Sequence, residues 1–174
     1  ARLRRIVNDE TREKYAGQVR EVLFNSCRKT MYHATAYIGL DADFMVKAHL
    51  LIPQGFENTL YSWLLNFQIA DAASNKLYAK SKLIDEGDVF IYSDPDCKTA
   101  DYPDGLALFD PDYNCACLLG MRYFGEHKKG TLTLGWSIAQ RQGYTACHGG
   151  QKRFNLEGGK EKVISVFGLS GSGK

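Results

Sequence analysis

The chain has 174 residues, 44% of them hydrophobic and 24% charged, with 17 glycines and only four prolines. That composition fits one soluble globular domain, or slightly more than one, and excludes collagen-like, disordered and low-complexity chains. Twenty-two Lys+Arg against twenty Asp+Glu leave a net charge of +2, too small a surplus to mark a nucleic-acid or polyanion binder.

In chain order, residues 9–25 read as an amphipathic helix capped by Asn8 or Asp9, with Tyr15, Val19, Val22 and Leu23 at helical steps. MYHATAYIGL, closed by Gly39, reads as a strand. FMVKAHLLIP, stopped by Pro53 and Gly55, reads as a second one. Residues 57–71 place Leu60, Trp63, Leu64 and Phe67 on one helical face. DVFIY (88–92), GLALF (105–109) and CACLL (115–119) are short apolar runs between Asp/Pro/Gly turns and read as strands. The aspartates around them lack the spacing of a calcium loop. Helices and strands alternate irregularly, which predicts an α/β fold with a mixed sheet and flanking helices.

Cys27, Cys97, Cys115, Cys117 and Cys147 make an odd count with no regular framework, which predicts reduced thiols in a cytoplasmic protein. Cys115 and Cys117 alternate along an apolar run and read as buried strand thiols, not metal ligands. No apolar run approaches the roughly 20 residues that span a bilayer. The basic start ARLRRIVNDETREK has no signal-peptide core behind it.

The last third carries the chemistry. Residues 163–167 read as a buried strand running into Gly168, Leu169, Ser170, Gly171, Ser172, Gly173 and Lys174, which match G-x-x-x-x-G-K. Glycines let a backbone turn tightly and aim N–H groups at a phosphate, and the lysine adds a charge between the β and γ phosphates. The chain stops there, before the Ser/Thr and helix that complete such a site, which predicts a fragment. The second constellation is RYFGEHKKG, with His148 further on in YTACHGG. A buried lysine that loses its proton and a neutral imidazole can together hold a transition metal.

These segments are where the sequence resembles a known family. YFGEHKKG, a histidine and FGLSGSGK resemble ATP-dependent phosphoenolpyruvate carboxykinase, with Ser172 standing where that family usually has threonine. The upstream helix, strand and Trp63 helix follow the family's order more loosely. The resemblance implies a carboxykinase N-terminal (substrate-side) domain over 1–142 and the start of the P-loop nucleotide-binding domain over 143–174. It further implies Mn2+ held by Lys129 and His148, Lys128 at the substrate carboxylate and transferred phosphoryl, and Tyr123 near substrate and carbon dioxide. Residues 168–174 would hold ATP with Mg2+. The implied reaction converts oxaloacetate and ATP to phosphoenolpyruvate, CO2 and ADP, a step of gluconeogenesis, with no nucleic-acid or membrane partner and with the rest of the carboxykinase chain supplying further residues. Nothing in residues 1–14 matches the family's substrate-binding arginine.

Two other readings compete: a different P-loop kinase on the same core, and a nucleotide-binding relative without catalysis. A simple kinase has no need of a lysine–histidine metal site, so that pair discriminates. His33 and His49 read as structural histidines, Trp63 and Trp136 as core, and Glu126 as a group that orients the lysines. His127, inside the lysine motif, receives no role.

Overall fold

Helix α1 (Asp9–Ser26) begins where its first free N–H groups find a partner: the Asn8 side chain accepts from the Thr11 amide at 2.9 Å. This computed structural model describes residues 7–98, 100–169 and 171–173. It divides the chain into two compact units, 1–138 and 139–174, each described here by itself. No residue of α1 is fully buried. Val19 and Val22 nevertheless pack on Tyr92, Cys117 and Leu119, and Arg12 grips Asp110 through hydrogen bonds of 2.8–3.1 Å.

The first unit is built on a six-stranded mixed sheet of order β3-β1-β2-β4-β6-β5. Its strands are β1 (Met31–Asp41), β2 (Phe44–Pro53), β3 (Gln68–Ile69), β4 (Val89–Asp94), β5 (Leu106–Asp110) and β6 (Cys115–Leu119). β1 and β2 form an antiparallel hairpin, β2, β4 and β6 run parallel, and β5 returns antiparallel on the edge. Alternation sorts the side chains. Ala34, Ala36, Ile38, Val46, Ala48, Leu50, Val89, Ile91, Ala116 and Leu118 form one face. They bury Trp63 of α2 (Glu57–Leu64) together with Leu134 and Ile138 of α4 (Phe124–Arg141). The other face is covered by α1 at one end and at the other by α3 (Ala72–Lys80), where the Tyr37 hydroxyl donates to Asn75 at 2.6 Å.

Three elements differ from the sequence reading. The helix expected over 57–71 stops at Leu64. The Asn66 side chain donates back to the Ser62 carbonyl at 2.7 Å, and Gln68 and Ile69 then pair with Tyr37 and Ala36. Asp71 and Ser74 next make a reciprocal capping box that starts α3, a helix not anticipated. Nor was α4, because Gly125, Gly130 and Gly135 lower its intrinsic propensity. Two of those glycines are there for proximity to the sheet. A Cβ on Gly130 would run into the Phe109 ring, and one on Gly135 would lie 3.0 Å from Ile38. Gly130→Ala is therefore expected to destabilise the protein by about 1–2 kcal/mol through overpacking, despite alanine's better helix propensity. A lower urea midpoint at unchanged m-value would show it.

In the second unit, β7 (Gly149–Asn155) and β8 (Glu161–Phe167) form an antiparallel hairpin. It turns through residues 157–159, with Gly158 and Gly159 at φ +74° and +73°. The strand expected over 163–167 is present, but it is not buried: every residue of β7 and β8 is exposed. A two-stranded sheet has no second layer of its own to cover Val163, Ile164, Val166 and Phe167. β7 itself went unread, being glycine-rich and charged. Trp63 is fully buried as expected, while Trp136 is only half-buried. Among the described residues, no helix is long and apolar enough to cross a membrane.

Candidate active site

Parallel strands deliver their C-terminal ends, and the loops that follow, to one edge of a sheet, the usual place for ligands in open α/β folds. In the first unit these loops are 54–56 after β2, the turns after Asp94 at the end of β4, and 120–123 after β6. The last two are tied together: the Asp94 carbonyl accepts from Cys97 N at 3.1 Å and from Gly120 N at 3.0 Å. Gly120 sits at φ +64°, and a Cβ there would lie 3.0 Å from the Cys97 carbonyl, so only glycine fits the junction. A cleft of about 260 Å³ opens here, lined by Lys29, Thr30, Pro53, Gln54, Phe56, Asp94 and Asp96. Asp94 is buried and ion-paired through Oδ2 with Lys29. Arg122, the first residue of the lysine motif, ion-pairs with Asp96 and lies 5.1 Å over the Phe56 ring.

The motif then becomes the start of α4. Tyr123 is 52% exposed, and its ring lies against Gly125, where any side chain would displace it. Glu126, in the first turn, places a negative charge at the helix's positive end. Lys128 is half-buried and Lys129 exposed. Neither lysine has an ion-pair partner among the described residues. The burial that the sequence argument asked of the lysine ligand is not supplied to Lys129 within this unit.

What fixes this turn was not legible beforehand. His127 is completely buried, its Nε2 2.8 Å from the Ser93 hydroxyl on β4. Among the described residues its Nδ1 finds no hydrogen bond of good geometry, the Tyr123 carbonyl one turn back serving only as a loose acceptor. One turn on, Thr131 donates to the His127 carbonyl at 2.8 Å and accepts the Trp63 indole N–H at 2.9 Å. Strand β4 and helix α2 thus pin the first two turns of α4 through side chains. The i, i+4 spacing of His127 and Thr131 was the only hint in the sequence; nothing marked Ser93.

Desolvation is the main cause that lowers the His127 pKa below its ordinary value, outweighing the opposing Tyr123 carbonyl and Glu126 carboxylate. The folded protein therefore binds this proton less readily than the unfolded chain. The histidine's contribution to stability is complete above the unfolded value near pH 6.5, and it is lost as pH falls from there through the lowered folded pKa. Urea midpoints should drop with acidification over that window, and His127→Gln should flatten the dependence. An equally steep fall in the variant would assign it to other groups.

Cys117 is pushed up to about 12 by burial, and the same desolvation raises Cys115 and Cys97. Such thiols stay protonated; Cys115 and Cys117 lie on β6 as expected, Cys117 buried and Cys115 half-buried, while Cys97 sits in the turn after β4. No group of three His, Cys, Asp or Glu side chains placed to hold a metal occurs among the described residues.

In the second unit, His148 is exposed just before β7. β8 leads directly into the glycine loop. Gly171 and Gly173 adopt φ +84° and +79°, and Ser172 N donates to the Leu169 carbonyl at 3.1 Å to close a tight turn. A Cβ on Gly168 would collide with the Ser172 side chain. A loop held in left-handed glycine conformations, with no room for side chains at its base, fits a backbone cradle for phosphate. Ser170 and Lys174 lie outside the described residues. Lys129 belongs to one unit and His148 to the other, so each is placed within its own unit only.

No curated protein gives a significant match to the chain. The family model for phosphoenolpyruvate carboxykinase, in its ATP-dependent form, matches residues 5–174. With a mixed α/β sheet of the type found in that enzyme's N-terminal domain, a lysine pair opening α4 and a glycine loop after β8, the chain belongs to the ATP-dependent phosphoenolpyruvate carboxykinase family, carboxy-lyases that use ATP and divalent metal ions.

Proposed function

We propose that the full-length protein converts oxaloacetate and ATP to phosphoenolpyruvate, CO2 and ADP. The observation that carries this reading is a chain, matched over residues 5–174 by the family model, that holds both a lysine pair in α4 without ion-pair partners among the described residues and, in its other unit, a glycine loop fed by β8.

In this reading the loop's backbone N–H groups and Lys174 bind the phosphates of ATP, and Lys174 offsets the charge that builds on the transferring phosphoryl. Lys128, near the start of α4, binds the substrate carboxylate and reaches toward the same phosphoryl. Tyr123, its ring seated on Gly125, orients substrate and the departing carbon dioxide. Ser93 and His127 keep the turn that carries these groups rigid. Lys129 and the His148 imidazole are the ligands assigned to Mn2+, with Mg2+ accompanying the nucleotide. When bound, these ions supply Lewis-acid polarisation of the oxaloacetate carbonyl and charge neutralisation at the phosphates. We assign residues 1–142 to the substrate-side domain and 143–174 to the start of the nucleotide-binding domain, completed by the rest of the carboxykinase chain. The odd cysteine count with no regular framework supports a cytoplasmic setting.

Oxaloacetate-dependent formation of phosphoenolpyruvate and ADP by the full-length protein with Mn2+ and ATP is the test. ATP binding without oxaloacetate-dependent turnover would overturn the reading in favour of a nucleotide-binding relative.

A further inference from the structure

The cleft at the edge of the first unit's sheet has a cation beside it to which the carboxykinase reading gives no role. Arg122 follows the Gly120 junction and the buried Met121, which hold its backbone beside the C-terminal ends of β4 and β6. Its guanidinium lies 5.1 Å over the ring of Phe56, a buried residue of the cleft lining. Nη2 donates to Asp96 Oδ1, while Nε and Nη1 make no hydrogen bond among the described residues. The next residue is Tyr123, which the carboxykinase reading places near the substrate.

We propose that Arg122 is a specificity-determining residue that binds one carboxylate of a dicarboxylate substrate, exchanging Asp96 for it. The inference rests on the carboxykinase reading and deepens it: oxaloacetate carries two carboxylates, and Lys128 is assigned to only one of them. A guanidinium presents its donors as a planar fork that matches a carboxylate at two points, where an ammonium offers a point charge. Contact with the Phe56 ring restricts that fork before a ligand arrives, and only one arm of it is in use. The present partner is also easily exchanged. The Arg122 and Asp96 side chains are 71% and 62% exposed, and ion pairs so open to water are worth little. A substrate carboxylate bound through both arms replaces a one-armed, solvated contact with a two-armed one, and the displaced Asp96 returns to water.

The cleft lining opposes an anion only at the point of that exchange. Its acids are Asp94 and Asp96. Asp94 is buried and ion-paired with Lys29, itself a lining residue, so its charge is already met. Asp96 is the group the substrate must displace. It therefore acts as a competitor for the guanidinium and not as its support, and removing its charge should strengthen binding.

The test uses the full-length protein and succinate, the four-carbon dicarboxylate that lacks the ketone of oxaloacetate, as a non-reacting probe. Arg122→Gln, an exposed change, should weaken succinate binding in calorimetry by about tenfold or more. It should raise the KM for oxaloacetate by a similar factor, with the KM for ATP and the urea midpoint unchanged. Asp96→Asn should lower the succinate Kd and the oxaloacetate KM by about two- to fivefold. The assignment is overturned if the wild type does not bind succinate, or if Arg122→Gln leaves both quantities where they were. It is overturned equally if Asp96→Asn weakens binding as Arg122→Gln does, since the pair would then be structural. Failure of the carboxykinase reading looks different: the wild type would bind succinate through Arg122 and still form no phosphoenolpyruvate from oxaloacetate.

Discussion

Lys174→Ala is expected to lower phosphoryl transfer by about 10³-fold while leaving the circular dichroism spectrum and urea midpoint of the full-length protein unchanged. The size follows from what the lysine is asked to do. The backbone N–H groups of a glycine loop bind phosphate oxygens in the ground state and the transition state alike. A lysine between the β and γ phosphates adds a full charge where negative charge shifts during transfer. Gly171 and Gly173 hold left-handed conformations, and the turn closes from Ser172 N to the Leu169 carbonyl. Nucleotide affinity should therefore fall much less than turnover. Lys174→Arg should recover only part of the rate, since a planar guanidinium does not replace a compact ammonium at a site shaped for one. Retained activity in Lys174→Ala would remove the phosphate-loop assignment.

The sheet was legible because its strands carry strong local signals. FMVKAHLLIP is bounded by proline and by an acidic turn, and the observed β2 has the expected limits. Helix α4 was not legible, because its sequence serves tertiary needs at the expense of local ones. Gly130 and Gly135 are poor helix formers that let the helix approach Phe109 and Ile38, a requirement set by residues distant in the chain. The same division holds at the site. Lys128, Lys129 and residues 168–174 stood out as motifs, since the chemistry proposed for them needs particular residue types at particular spacings. Their supports did not. Ser93 is an ordinary strand residue until the fold brings β4 within 2.8 Å of His127, and the Asp94 link between Lys29 and the Gly120 junction joins three segments with no common pattern. The burial expected of 163–167 failed for a related reason: hydrophobic composition specifies that a strand wants cover without specifying where the cover comes from.

Lys129→Ala and His148→Ala are expected to raise the Mn2+ concentration needed for half-maximal activity by about 100-fold or more, with ATP affinity changed by no more than about twofold. Loss of an outer-shell partner alone commonly costs about 10–100-fold in metal affinity, and a direct ligand should cost at least as much. Both side chains are exposed, so neither substitution opens a cavity, and effects on folding should stay within about 0.5 kcal/mol. That separation makes the pair informative. A structural role would lower metal activation, nucleotide binding and stability together. A ligand role moves the metal term alone, and moves it similarly from two positions that belong to different units of the chain. The double variant discriminates further. Two ligands of one ion act on the same bound metal, so their combined effect should be smaller than the sum of the single effects once either has emptied the site. Additive losses would mean that Lys129 and His148 do not share an ion.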